Sequence, residues 1–144
     1  MNKLTYIDDC KLDRFILEKI LSRFGSSFEV KCTDSGNEVL NLLSQNQQSY
    51  SDKLPDLILL DIYMPDFDAW DFLDKVELIY PALNRSLEIY ILSASKYPAD
   101  VERLKQYTCV KAFILKPITK EVLQKLIRHK ISPISEFALL EACN

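Results

Sequence analysis

The stretch that decides the fold is Pro55-Asp56-Leu57-Ile58-Leu59-Leu60-Asp61-Ile62-Tyr63-Met64-Pro65, near the middle of the chain. It holds four consecutive apolar residues between a proline and a turn rich in Asp and Pro. This pattern favours a short strand buried on both faces over a helix, because too little length remains for a helix. Asp61 then stands at the carboxyl end of the strand, which is where ligands bind in open α/β sheets.

Alternating strand and helix patterns continue from this stretch in both directions. Further strands are expected at residues 4–7, 28–32, 87–92 and 110–115. Apolar residues that recur every three or four positions indicate a helix after each strand, with Ser35 capping the second helix and Pro98 in the first turn of the fourth. The pattern predicts one α/β domain: a doubly wound, five-stranded parallel sheet of strand order 2-1-3-4-5 with helices on both faces.

The composition argues against several classes of function. The 144 residues carry a formal net charge of −3, whereas a nucleic-acid surface needs a basic face. No apolar run approaches the ~20 residues of a membrane span. The two glycines cannot build a phosphate-binding loop, and four cysteines without CxxC spacing beside one histidine argue against a zinc site. We therefore expect a cytoplasmic protein with reduced thiols that binds neither nucleic acid nor a membrane.

Polar residues follow the ends of the predicted strands. Asp8 and Asp9 follow the first strand, Asp61 ends the third, Ser93 ends the fourth and Lys116 ends the fifth. In this strand order the three carboxylates meet at the switch point between the first and third strands. Clustered carboxylates need a cation, and Mg²⁺ takes few carboxylates while keeping positions for water and phosphate oxygens. The pattern predicts a magnesium site where Asp61 attacks phosphorus and Lys116 and Ser93 stabilise the transferred group.

Each of these residues also has a purely structural interpretation. The aspartates could form turns or cap helices, Ser93 could cap the fourth helix, and Lys116 could be a surface charge. For any one residue alone the structural interpretation is favoured. Their coincidence on one edge of the sheet favours phosphoryl chemistry.

Five motifs make the chain resemble the receiver domain of two-component response regulators. They are Tyr6-Ile7-Asp8-Asp9 with Arg14, Asp34-Ser35-Gly36-Asn37-Glu38, residues 55–65 around Asp61, Leu92-Ser93-Ala94, and Lys116-Pro117. The resemblance covers residues 3–130 and implies a flavodoxin-like fold. We assign residues 1–130 to a stand-alone receiver domain and 131–144 to a C-terminal tail that could form a short helix, docked on its own domain or used as a partner surface.

The resemblance implies how phosphorylation would occur. Asp61 would accept a phosphoryl group from a phosphohistidine of a sensor histidine kinase or a histidine phosphotransfer protein. Mg²⁺ would bind to Asp8, Asp9, Asp61 and the backbone carbonyl of Tyr63. The protein would be a phosphoacceptor in a phosphorelay and not an enzyme, apart from possible slow self-dephosphorylation.

The resemblance also implies a switch. Lys116 would contact the phosphate, Ser93 would reach it after transfer, and Phe113 would be the aromatic residue that turns inward as Ser93 moves. The face formed by the fourth helix, fifth strand and fifth helix would then bind an unknown downstream protein.

Two residues depart from the family pattern. Ala69 stands where glycine is frequent, and Tyr63 is bulky where smaller or polar residues are common. Because Tyr63 lies two residues after Asp61, we predict that it shields the acyl phosphate from water or slows the action of a phosphatase.

Three other functions fit the sequence less well. A scaffold that binds partners without phosphorylation would not need the acids, Ser93 and Lys116 together. A phosphohydrolase with an aspartate nucleophile usually carries a second Asp where this chain has Tyr63. A flavodoxin-like FMN binder would need a loop rich in Ser, Thr and Gly after the first strand.

Overall fold

The computed structural model describes residues 2–24, 28–47, 52–83, 85–131 and 138–140. The strands are β1 Asn2–Ile7, β2 Phe28–Thr33, β3 Leu57–Asp61, β4 Tyr63–Met64, β5 Phe67–Asp68, β6 Glu88–Ser93, β7 Val110–Leu115 and β8 Ala138–Leu140. The helices are α1 Lys11–Ser22, α2 Gly36–Gln45, α3 Ala69–Ile79, α4 Pro98–Leu104 and α5 Lys120–Ile131, with a 3-10 turn at Tyr80–Ala82. Within these ranges, no helix is both long enough and apolar enough to cross a membrane.

The main sheet is parallel throughout, in the order β2-β1-β3-β6-β7-β8. Its first five members confirm the predicted order 2-1-3-4-5. β3 lies between β1 and β6, with Leu57 opposite both Leu4 and Glu88. All five residues of β3 are buried, as expected for a central strand covered on both faces.

Side chains of β3 point alternately into two apolar layers, one on each face of the sheet. Ile58 and Leu60 join the layer under α2 and α3, while Leu57 and Leu59 join the layer under α1 and α5. Each fully buried aliphatic side chain of this size contributes roughly 1.5–3 kcal/mol relative to exposure. The continuous apolar run is therefore required to hold both layers on one strand.

The chain between β3 and α3 differs from the prediction. A helix is predicted directly after the third strand, but the next segment is a small separate hairpin in which β4 pairs antiparallel with β5, the strand that holds Phe67. The helix begins only at Ala69, because the side chain of Asp68 caps it by accepting hydrogen bonds from the backbone N–H groups of Trp70 and Asp71 at 3.0 and 3.1 Å.

The tail also differs from the prediction. Residues Ala138–Leu140 form a strand, not part of a helix, and pair in parallel with β7, with Ala112 opposite Ala138. The outer side of β7 would otherwise present unpaired backbone groups, and β8 satisfies them. The sheet therefore has six strands. The rest of the tail beyond Ile131 lies outside the described residues, and the domain boundary at residue 130 stays a prediction.

Candidate functional site

The predicted site residues gather at the carboxyl edge of the sheet. Asp8 follows β1, Asp61 ends β3, Ser93 ends β6 and Lys116 follows β7. Because β1, β3, β6 and β7 are consecutive neighbours in one parallel sheet, their carboxyl ends lie side by side. Strand order thus brings together side chains up to 108 positions apart in the sequence.

Three carboxylates at this edge form a potential cation site. Asp8, Asp9 and Asp61 each offer one oxygen, and these three oxygens lie within 4.8 Å of one another. Asp8 and Asp61 are buried, whereas Asp9 is exposed. The backbone N–H of Tyr63 donates to Oδ1 of Asp61 at 3.0 Å, which holds that carboxylate in place. A set of hard oxygen donors, partly open to solvent, fits a small divalent ion such as Mg²⁺.

Asp8 is held in place by several donors. The hydroxyl of Tyr6 and the ammonium of Lys116 donate to its Oδ2, and the N–H of Cys10 donates to its Oδ1 at 2.9 Å. Burial alone would raise the pKa of Asp8, but these donors outweigh burial and lower that pKa below its usual range. Asp8 therefore stays ionised, which a ligand for a cation requires.

Asp61 has the opposite balance. Burial raises its pKa above the usual range, the negative charge of Asp8 adds to this, and the Tyr63 N–H and Lys116 compensate only in part. The ionised form of Asp61 is therefore disfavoured by its surroundings. A divalent ion at this edge would relieve that repulsion.

Lys116 is bonded to three carboxylates. Its Nζ lies 3.0 Å from Asp8, 3.0 Å from Asp13 and 3.2 Å from Asp61. Burial disfavours the ammonium, but the hydrogen bonds to Asp13 and Asp8 and the nearby charges raise the pKa of Lys116 above its usual range. Asp13 was not predicted as a site residue. A clue in the sequence is that Asp13 comes four residues after Asp9, in the first turn of α1, so that both side chains can face the same side.

Ser93 and Phe113 do not contact the three carboxylates through any hydrogen bond of the described residues. The buried hydroxyl of Ser93 donates to the carbonyl of Ser95 at 2.7 Å and accepts from the N–H of Ser95 at 3.1 Å. Phe113 is fully buried in β7 within the apolar layer under α2 and α3. The proposed roles of Ser93 and Phe113 stay predictions.

Tyr63 stands at the mouth of the site. The residue is 50% exposed, its hydroxyl donates to the carboxylate of Asp100, and its ring packs edge-on against Tyr97 with centroids 6.3 Å apart. The hydrogen bond to Asp100 raises the pKa of Tyr63 to about 12. A cavity of about 290 Å³ lies between this pair and Asp61; it is lined by Asp61, Tyr63, Ala94, Ser95, Tyr97 and Lys116.

The family model of the response regulator receiver domain matches residues 4–128. The chain belongs to this family. The receiver domain is similar to the two-component response regulator ORR4 of Oryza sativa subsp. indica, with 29% identity over 136 residues, covering 85% of this chain and 56% of that protein. It is also 29% identical over 126 residues to the two-component response regulator ARR10 of Arabidopsis thaliana, covering 87% of this chain and 20% of that protein.

This receiver domain also resembles solved structures. The crystal structure of a two-component response regulator from Legionella pneumophila matches with a TM-score of 0.75 and 22% identity, covering 92% of this chain and 99% of that chain. That likeness concerns the fold. The chain spans about half of the length of ORR4 and about a fifth of ARR10. Receiver domains are phosphoacceptors and are not themselves enzymes in the usual sense.

Proposed function

We propose that Asp61 accepts a phosphoryl group from a phosphohistidine donor, a sensor histidine kinase or a histidine phosphotransfer protein. The observation that carries this proposal is the grouping of Asp8, Asp9 and Asp61 around one point, with the ammonium of Lys116 3.2 Å from Asp61. An oxygen of Asp61 attacks phosphorus, the P–N bond to the donor imidazole breaks, and the bonding electrons leave with the imidazole. The product is an acyl phosphate on Asp61.

The carboxylates of Asp8, Asp9 and Asp61 and the backbone carbonyl of Tyr63 would hold Mg²⁺. The bound ion would offset negative charge on the transferring phosphoryl group. Lys116 exchanges its contact with Asp61 for one with a phosphoryl oxygen. Ser93 gives up its bonds to Ser95 and turns its hydroxyl toward the new group.

The signal would leave the site through the face formed by α4, β7 and α5. Movement of Ser93 opens space beside Phe113 in β7, and a turn of that ring alters the face that a downstream protein recognises. β8 pairs with the outer edge of β7, with Leu139 opposite Phe113, so β8 would form part of this face. Slow hydrolysis of the acyl phosphate would end the signal.

A cytoplasmic location is part of the proposal. The cysteines at positions 10, 32 and 109 are free thiols, which supports a reducing compartment. The slightly negative chain is suited to protein partners and offers neither nucleic acid nor an anionic membrane a basic surface.

Phosphoramidate tests this function directly, because its P–N bond has the chemistry of phosphohistidine. We expect phosphorylation that requires Mg²⁺, stops when a chelator is added, and yields a bond cleaved by hydroxylamine, as acyl phosphates are. Phosphorylation that continues in the chelator, or a product stable to hydroxylamine, would contradict the proposal. Absence of any phosphorylation would favour a scaffold that binds partners unmodified.

A further inference from the structure

We propose that Asp13 is a positioning residue that restrains Lys116 and slows phosphoryl acceptance by this site. The inference rests on the proposed function and goes beyond it, because it assigns a role to a fourth carboxylate. Asp13 lies in the first turn of α1, and its Oδ2 is 3.0 Å from Nζ of Lys116.

The geometry leaves Lys116 no unused donor. An ammonium has three N–H groups, and here they meet Asp8, Asp13 and Asp61. Asp8 and Asp61 are both buried and belong to the proposed metal and acceptor sites, whereas Asp13 is partly exposed on the helix side. Asp13 is therefore the partner whose only contact in this cluster is Lys116 itself.

Charge decides the direction of the effect. The incoming phosphoryl group is anionic, and Lys116 is the cation among the site residues that is placed to meet it. Asp13 neutralises that ammonium and adds a negative charge 3.0 Å from it. A phosphoryl oxygen must therefore compete with Asp13 for Lys116, and the charge of Asp13 weakens the attraction of the site for an anionic donor.

Asp13→Asn removes the charge and keeps the size of the side chain. We expect the rate of phosphorylation by acetyl phosphate to rise about threefold to tenfold at low salt, mostly through a lower half-saturating donor concentration, because one partly screened unit charge is removed near the anion. The advantage should shrink as ionic strength rises. Mg²⁺ affinity, measured by titration calorimetry without any donor, should fall about twofold to fivefold, because a nearby negative charge is lost.

Two further variants separate restraint of Lys116 from other causes. Asp13→Glu keeps the charge and should retain the slow rate. Glu18→Gln removes the same charge from an exposed position of α1 whose side chain does not contact Lys116, and it should leave the rate and Mg²⁺ affinity close to those of the wild type. Thermal unfolding shows that each variant is folded before rates are compared.

The outcomes are distinct. A wild type that no donor phosphorylates would overturn the proposed function. If the wild type is phosphorylated but Asp13→Asn is phosphorylated at the same rate or more slowly, the role of Asp13 is overturned and the proposed function is not. An equal acceleration in Glu18→Gln would also overturn it, because the effect would then be one of general charge.

Discussion

At the residue scale, the ionisation of Asp61 is controlled by its immediate contacts. Asp61 receives an N–H from Tyr63 and an ammonium contact from Lys116, while Asp8 repels it from the neighbouring strand end. The two carboxylates have opposite pKa shifts because Asp8 has more donors. A single edge of the sheet therefore holds one carboxylate whose ionised form is favoured beside one whose ionised form is disfavoured.

Tyr63 gives the first prediction. Tyr63→Asn should shorten the half-life of the acyl phosphate about threefold to tenfold, a change of ~1 kcal/mol in the barrier, because water then reaches the cavity beside Asp61 more easily. The half-life is measured after the donor is removed from the phosphorylated protein.

Tyr63→Phe is the matched control, since it keeps the ring against Tyr97 and loses only the hydroxyl that bonds Asp100. Its half-life should lie between those of the wild type and Tyr63→Asn. If Tyr63→Asn decays at the wild-type rate, the side chain does not shield the acyl phosphate.

Some of these residues were predictable from the sequence and others were not. Asp8, Asp9, Asp61 and Lys116 follow strands, and the strand order alone places them together. The contacts of Asp13 and Asp100 depend on how α1 and α4 are rotated about their axes. Strand ends carry no information on that rotation, so sequence reasoning missed both residues.

At the element scale, helices are joined to the site by a few specific contacts. Gly36, the first residue of α2, packs against the ring of Phe67 in β5. A Cβ added at Gly36 would lie 2.2 Å from Cζ of Phe67. The β4–β5 hairpin that follows Asp61 therefore packs against α2 at a position without a side chain.

Gly36→Ala should lower the free energy of unfolding by about 1–3 kcal/mol, because the ring of Phe67 must be displaced. In an unobstructed helix the same substitution stabilises by up to ~1 kcal/mol, so the sign of the change is informative. Urea denaturation provides the measurement, with Asn37→Ala at the exposed next position of α2 as the control. A Gly36→Ala protein at least as stable as the wild type would show that the hairpin yields without cost.

Glu77 joins α3 to the loop before β7. Its carboxylate accepts from the N–H of Thr108 at 2.7 Å and from the N–H of Cys109 at 3.2 Å. Burial raises the pKa of Glu77, but these hydrogen bonds outweigh burial and lower it below its usual range. Because the folded-state pKa is lowered, the charge stabilises the fold above the unfolded-state pKa of about 4.3, and this stabilisation is lost as the pH falls through the folded-state value.

Glu77→Gln should therefore cost about 1 kcal/mol near neutral pH, and the difference from the wild type should shrink at acidic pH. Urea denaturation of both proteins near neutral pH, and again at acidic pH, tests this. Glu102→Gln, an exposed position in α4, is the control and should change little at either pH. A cost for Glu77→Gln that does not depend on pH would mean that the charge is unimportant.

Some helices and strands can be predicted from their own sequences, and others cannot. The continuous apolar run of β3, the Ser35 cap of α2 and Pro98 at the start of α4 are strong local signals, and the structure confirms all three. β4, β5 and β8 have two or three residues each, too few for a period to be recognised. β8 forms because β7 offers an open edge, which is a property of the assembled sheet.

At the scale of the whole molecule, two apolar layers fix the sheet and leave its carboxyl edge for chemistry. The layers determine which strands are neighbours, and the neighbours determine which polar side chains meet. The site lies at that edge, whereas the proposed partner face lies along β7 and includes β8. β7 connects the two, since Phe113 is in it and Lys116 directly follows it.

Intact mass after incubation with Mg²⁺ and acetyl phosphate is the sharpest test of whether this receiver domain is phosphorylated on Asp61. We expect a gain of one phosphoryl group in the wild type, the same gain in Asp66→Asn, which changes an exposed acid, and none in Asp61→Asn. A phosphorylated Asp61→Asn protein, or a wild type whose mass does not change with any donor, would show that Asp61 is not the phosphorylated residue.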